Sequence, residues 1–175
     1  PETIGSTLML FSSFLAAFLF VSTLLCGLVT GIILTYATIV MPGFSKLDDR
    51  AFIRAFQVTD GIIQNRQMVF TLAWLGSIFL VACTAGIALL SLNGNIRLLI
   101  IVAGAIYLLG VQGITILVHL PLNDRIQRVK VDEVNDETVY EQRLIFEARW
   151  NFFNRVRTAF GFCATSMFLF AVSVI

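Results

Sequence analysis

"LLIIVAGAIYLLGVQGITILVHLPL", Leu98 to Leu122, runs for 25 residues without an Asp, Glu, Lys or Arg. An α-helix rises about 1.5 Å per residue and the hydrocarbon core of a bilayer is about 30 Å thick, so about 20 apolar residues span it. This stretch is long enough to do so, and it is not alone. Thr3 to Ser45, Gln67 to Ile96 and Thr158 to Ile175 are also uncharged. Over the whole chain, 58% of residues are hydrophobic and only 13% charged, against about a quarter charged in ordinary soluble domains. Mean hydropathy is +0.88. The expected fold is all-α: an integral membrane four-helix bundle with amphipathic helical segments on the cytoplasmic side. At 175 residues it should be one domain, 1–175, with spans near 8–40, 68–92, 98–119 and 157–175.

Working outward, each block has readable ends. The first is too long for one straight span, and "MPGF" (Met41–Phe44) supplies a stop, because proline lacks the helical donor and clashes with the preceding turn. That block carries Glu2 where a signal peptide has a basic region, so a retained span is expected. Asp48 and Asp49 cap a segment in which Phe52, Ile53 and Phe56 recur at helical spacing. This reads as an amphipathic helix at the membrane surface, broken at Asp60-Gly61. "LNGN" (Leu92–Asn95) is a turn. Pro121 is expected to end the third helix. From about Thr138 a helix should run uninterrupted into the fourth span. A short echo is present: "MPGFSKLDDRAF" and "LPLNDRIQ" each follow a span with Pro, then Asp-Arg and an apolar residue.

Eleven of the twelve Lys and Arg residues fall in the two long connections, and only Arg97 lies at the other end of the bundle. The positive-inside bias therefore places both connections in the cytoplasm and both termini outside, as in a bacterial inner membrane. A net charge of +1 offers no basic face for a nucleic-acid partner. Cys26, Cys83 and Cys163 sit in different spans, form no CxxC pair, and read as small buried apolar residues.

Polar groups gather toward the cytoplasmic end. Gln112, Thr115 and His119 are spaced i, i+3, i+7 on the third helix, and Asn123 follows Pro121. On the fourth, "RWNFFNRVRT" (Arg149–Thr158) belongs to a stripe of Glu147, Asn151, Asn154 and Thr158, flanked by Trp150 and Arg157. Gln57, Gln64, Asn65 and Arg66 precede the second span. Polar groups in spans turn inward because lipid cannot satisfy them, so the three sets should converge on one pocket. Arg149 and Trp150 also suit plain interfacial anchoring.

At these motifs the chain resembles the anthrone-oxygenase-like family of small four-span membrane proteins. The resemblance rests on Met41-Pro42, Asn65, Pro121-Leu122-Asn123, and Trp150, Phe153, Asn154, Arg157 and Thr158. His119 stands where the family has asparagine, Arg66 where proline is common, and Phe153 where tryptophan is frequent. What the resemblance implies is oxidation of an apolar polycyclic phenol or hydroquinone by dioxygen, with no cofactor. The implied catalytic set is His119, Asn123, Glu147, Asn154 and Arg157, with His119 or Glu147 as base. Gln57, Asn65, Gln112, Trp150 and Asn151 are expected to bind substrate. With a single histidine, a conventional metal site is not expected. The expected partners are an apolar aromatic molecule and the bilayer, with a homo-oligomer or a membrane-complex partner left open. The competing reading is a non-catalytic or lipid-binding subunit of such a complex.

Overall fold

The computed structural model describes residues 2–65 and 67–175, with side chains from residue 13 onward. Among the described residues it is helical throughout, without strands. Four helices are long and apolar enough to cross a membrane. The chain is an integral-membrane type of all-α bundle, as the uncharged blocks require.

Helix α1 runs through Glu2–Thr35, Tyr36–Val40 and Met41–Phe44, and α2 covers Asp49–Gln64. Helix α3 is Met68–Ser91, α4 is Gly94–Gln127, and α5 is Asp136–Val174. Helices α1 and α4 occupy opposite corners of the bundle, and α3 and α5 each pack against both. Gly94, at φ +68°, makes the tight turn between α3 and α4; a left-handed residue there favours glycine. Helix α2 packs across the opposite end of the bundle, against α5 and the end of α4.

Of the expected caps, Asp48 operates and Asp49 is the first helical residue. The cap of α5 is Asn135, which was not expected, and α5 begins at Asp136 rather than near Thr138. Asp48 accepts from the Ala51 amide at 2.8 Å and starts α2, while Asn135 accepts from Thr138 at 2.9 Å and starts α5. Two expected breaks do not occur. Helix α2 continues through Asp60-Gly61 to Gln64, because Asp60 lies on the buried stripe that contains Phe52 and Phe56, each four residues apart. Helix α4 continues through Pro121 to Gln127. Its backbone widens into a π-helix over Thr115–His119, where the Leu120 amide reaches back five residues to the Thr115 carbonyl. That widening loosens the turn a proline would otherwise clash with. The same device precedes Pro42: Tyr36–Val40 is π-helical and the Met41 amide donates to Tyr36. The two proline exits thus share a backbone geometry as well as a short sequence echo.

Packing divides into two cores. One fills the half of the bundle near the α3–α4 turn, with Leu19, Cys26, Val81, Ala103, Tyr107 and Phe168 among its buried members. Four of its polar groups pair internally: Ser22 with Thr84 at 2.9 Å, and Tyr107 donating to Ser77 at 2.8 Å. The other joins Met41, Phe52, Phe56, Ile126, Phe146 and Trp150 beneath α2. Of the cysteines only Cys26 is buried; Cys83 is half-buried and Cys163 exposed, so the buried reading holds for the first alone.

The two long connections are tied together by ions. Arg50 pairs with Asp136, Arg54 with Asp132, and Arg143 with both Asp49 and Glu147. Arg143 also donates to the Ser45 and Leu47 carbonyls and lies 4.4 Å from the Phe52 ring centroid. Exposed pairs contribute little, but this half-shielded guanidinium fixes the α1 exit, α2 and α5 together.

Helices α1 and α5 meet at Gly161, where an added Cβ would stand 2.6 Å from Thr30 Oγ1 and 2.9 Å from its Cγ2. Threonine is stiff at χ1 and cannot swing away freely. Gly161→Ala should cost about 1–3 kcal/mol by overpacking. Gly31→Ala, which meets nothing within 4 Å, should be neutral or slightly stabilising. Denaturant unfolding of both variants in detergent micelles checks the contrast.

Candidate active site

Between the two cores lies a cavity of about 300 Å³, at the small end of the range for small-molecule sites. Val29, Ile32 and Ile33 of α1, Phe56 and Ile63 of α2, and Phe70 of α3 make its walls mostly apolar. Into it project Tyr36, Asp60, Trp74, His119, Asn123 and Arg157. Every helix contributes.

Trp150 organises the polar side. It is 2% exposed, and its indole donates to Asn123 Oδ1 at 3.0 Å. Asn123 in turn donates to Asp60 Oδ1 at 2.7 Å, and Gln64 and Gln127 donate to Asp60 Oδ2 at 2.6 and 3.0 Å. The His119 ring meets Trp150 edge to face, with centroids 4.9 Å apart. Arg157 sits 5.6 Å from the centroid of the same indole, within cation–π range. Tyr36 and Phe56 close around the indole at 5.7 and 5.8 Å. A residue that also suited plain anchoring is therefore the hub of the site.

The charge distribution is unusual. Arg157 is only 9% exposed, and a guanidinium remains protonated in proteins. It donates to Asn154 Oδ1 at 2.9 Å and to Thr115 Oγ1 at 3.1 Å, both neutral. Asn154 is itself held by donating to the Ile33 carbonyl at 3.2 Å. Among the described residues no carboxylate forms an ion pair with Arg157. Asp60, the other buried charge at 4% exposed, likewise has only amide partners. Tyr36 stands within electrostatic reach of both. Burial pushes the Asp60 carboxyl above the ordinary carboxylate range, against the pull of its three amide donors. Neither His119 nitrogen has a hydrogen-bond partner, and both are buried.

Of the residues singled out in the sequence, Gln64, Thr115, His119, Asn123, Trp150 and Arg157 line the cavity, and Asn154 orients Arg157. The others fall elsewhere. Glu147 and Asn151 line a separate, more polar cavity of about 340 Å³ with Arg155 and the α1 exit, and Glu147 is paired with Arg143. Gln112 lies deeper in the bundle and accepts from Trp74 at 2.7 Å. Gln57 fastens α2 to the Ile126 and Val129 carbonyls. Asn65 is the exposed C-cap of α2, and Arg66 lies outside the described residues. The sequence reading missed Asp60, Tyr36 and Trp74. For Asp60 a signal existed: a lone acid on the Phe52, Phe56 stripe of an amphipathic helix.

Among the described residues no group of three or more His, Cys, Asp and Glu side chains is gathered for a metal. A family model described as anthrone oxygenase matches residues 62–167, well over half of the chain. The chain belongs to the anthrone oxygenase family. No curated protein and no solved structure matches it. The stretch matched to the anthrone oxygenase model carries His119, Asn123, Trp150, Asn154 and Arg157. Asp60 and Tyr36 lie ahead of it and reach the same cavity through α2 and α1.

Proposed function

We propose that the protein oxidises a planar, apolar polycyclic phenol or hydroquinone of the anthrone type with dioxygen, inside this cavity. The observation that supports the reading most is Arg157. A buried cation facing an apolar cavity without a carboxylate partner is costly in isolation, and an anionic oxygen on the ligand would offset that cost. An anthrone becomes such a ligand when it loses a benzylic proton, because the charge moves to its carbonyl oxygen. Arg157, oriented by Asn154 and Thr115, stabilises that oxyanion, and a preorganised donor in a dry site is worth far more than one in water. The electron-rich enolate then reduces dioxygen and the peroxide forms at the benzylic carbon. Loss of water leaves the quinone, so a CH2 and a dioxygen become a carbonyl and one water.

Ile32 and Leu120 line the cavity and are also exposed on the outer surface of the bundle. This favours entry of a flat apolar substrate from the bilayer. The Lys and Arg bias favours a cytoplasmic position for the end of the bundle that carries α2.

The test is dioxygen uptake by the purified protein in nanodiscs, with an anthrone as substrate. The expected result is uptake above the spontaneous rate, one dioxygen per anthrone, with quinone as product. Uptake no faster than in empty nanodiscs, for anthrones and hydroquinones alike, overturns the reading.

A further inference from the structure

Asp60 is the only buried acid among the described residues. It stands in the cavity wall on α2, while Arg157 enters from α5. Its two oxygens accept from Asn123, Gln64 and Gln127 and meet no Lys or Arg. Amides hold a carboxylate in place without neutralising it, so its ability to take a proton is preserved. Glu147, the other acid weighed as a base, is paired with Arg143 and lines the other cavity.

The geometry points to Asp60 as the base that takes the substrate's acidic proton while Arg157, on another wall of the same cavity, holds the resulting oxyanion. This rests on the oxygenase reading above and narrows its substrate class. The molecule must carry an ionisable C–H or O–H at one edge and an oxygen that receives the charge at another.

The protons and electrons balance. The Asp60 carboxylate removes one benzylic proton and becomes a carboxylic acid, leaving the C–H electron pair in the enolate. Dioxygen takes those electrons and bonds to the carbon as a peroxide anion, which recovers the proton from Asp60 as a hydroperoxide. Asp60 then removes the second proton from that carbon. The O–O bond breaks as C=O forms, and the departing hydroxide leaves as water with the proton held by Asp60. Asp60 ends as the carboxylate that began.

The rival role for Asp60 is purely structural, an acceptor hub fastening α2 to α4, and the experiment separates the two. An ionisable hydroxyanthraquinone, which has no benzylic C–H to oxidise, is bound to the protein in nanodiscs. Absorption follows the ligand's anion and difference infrared spectroscopy follows a protonated carboxyl. In the unsubstituted protein both signals should appear together; Asp60→Asn should bind the ligand in its neutral form with no carboxyl band. With an anthrone, Asp60→Asn should lose about 100- to 10,000-fold in kcat, the range for removing a general base.

The unsubstituted protein's kcat/KM should rise with pH through a limb above the ordinary carboxylate range, and Asp60→Asn should lack that limb. The titratable and charged groups around Asp60 are Tyr36 on α1, His119 and Asp124 on α4, and Arg157 on α5. Gln57→Ala removes the fastening of α2 to the Ile126 and Val129 carbonyls without touching Asp60, and should retain most of the turnover and the carboxyl band. An equal loss in Gln57→Ala and Asp60→Asn, or an unchanged ligand anion in Asp60→Asn, overturns the proposal. Proton transfer to Asp60 without dioxygen uptake removes the oxygenase reading and leaves the base in place. Dioxygen uptake undiminished in Asp60→Asn removes the base alone.

Discussion

Arg157→Met should lower kcat for anthrone oxidation by about 100- to 1,000-fold, the scale seen when an oxyanion donor is removed. Affinity for the neutral substrate should change little, because in the proposed reaction the guanidinium acts on charge that appears only after proton loss. Arg157→Lys should recover only part of the rate: an ammonium keeps the charge but not the planar fork that meets Asn154 and Thr115 together. Stability should move the other way. A buried cation without an ion-pair partner opposes folding, so Arg157→Met should unfold at the same temperature as the parent or higher. Gain of stability with loss of turnover marks a group kept for chemistry. Equal losses in both would instead make Arg157 a structural residue. Steady-state dioxygen uptake and thermal unfolding of the three proteins decide between these outcomes.

Trp150→Ala should be the most destabilising single change in the site, by about 3–5 kcal/mol. The indole is in ring contact with Tyr36, Phe56, His119 and Phe146, which come from four helices. Its removal leaves a void where α2 meets the bundle. Trp150→Phe isolates a different effect, because most of the packing survives while Asn123 Oδ1 loses its donor. That variant should unfold near the parent's midpoint yet turn over more slowly, since Asn123 no longer holds Asp60 in a defined place. Denaturant unfolding and turnover, measured on both variants, separate the packing role from the positioning role.

The bundle was legible because a bilayer leaves few choices. Four uncharged runs of spanning length must be helices, since no other open structure satisfies its own backbone in lipid. The site was legible only in part, for two geometric reasons. On α5, Glu147, Asn151 and Asn154 do share a face, as their spacing says, but that face follows the seam with α1. Asn154 reaches the Ile33 carbonyl, while Glu147 and Asn151 face the α1 exit. The flanking pair seven residues apart, Trp150 and Arg157, points into the cavity. On α4, the spacing of Gln112, Thr115 and His119 was read with an α-helical period. The backbone there is π-helical over Ile106–Gly113 and Thr115–His119, so Gln112 turns to Trp74 while Thr115 and His119 stay at the site. Asp60 was hidden differently: an Asp-Gly pair reads locally as a break, and only burial against the bundle keeps α2 helical through it.

The widened turns of α1 and α4 also bear on how chain length can vary. A π-helical turn holds one residue more than an α-helical one, so removing that residue restores the ordinary period and leaves both flanks facing as before. Elsewhere in a spanning helix the same deletion would rotate everything beyond it by about 100° and turn core residues toward lipid. Residues 36–40 and 106–119 are thus the places where these helices can shorten by one residue without losing register. Tyr36, Thr115 and His119 lie within them, so the cavity wall can be reshaped there while the helices on either side keep their faces.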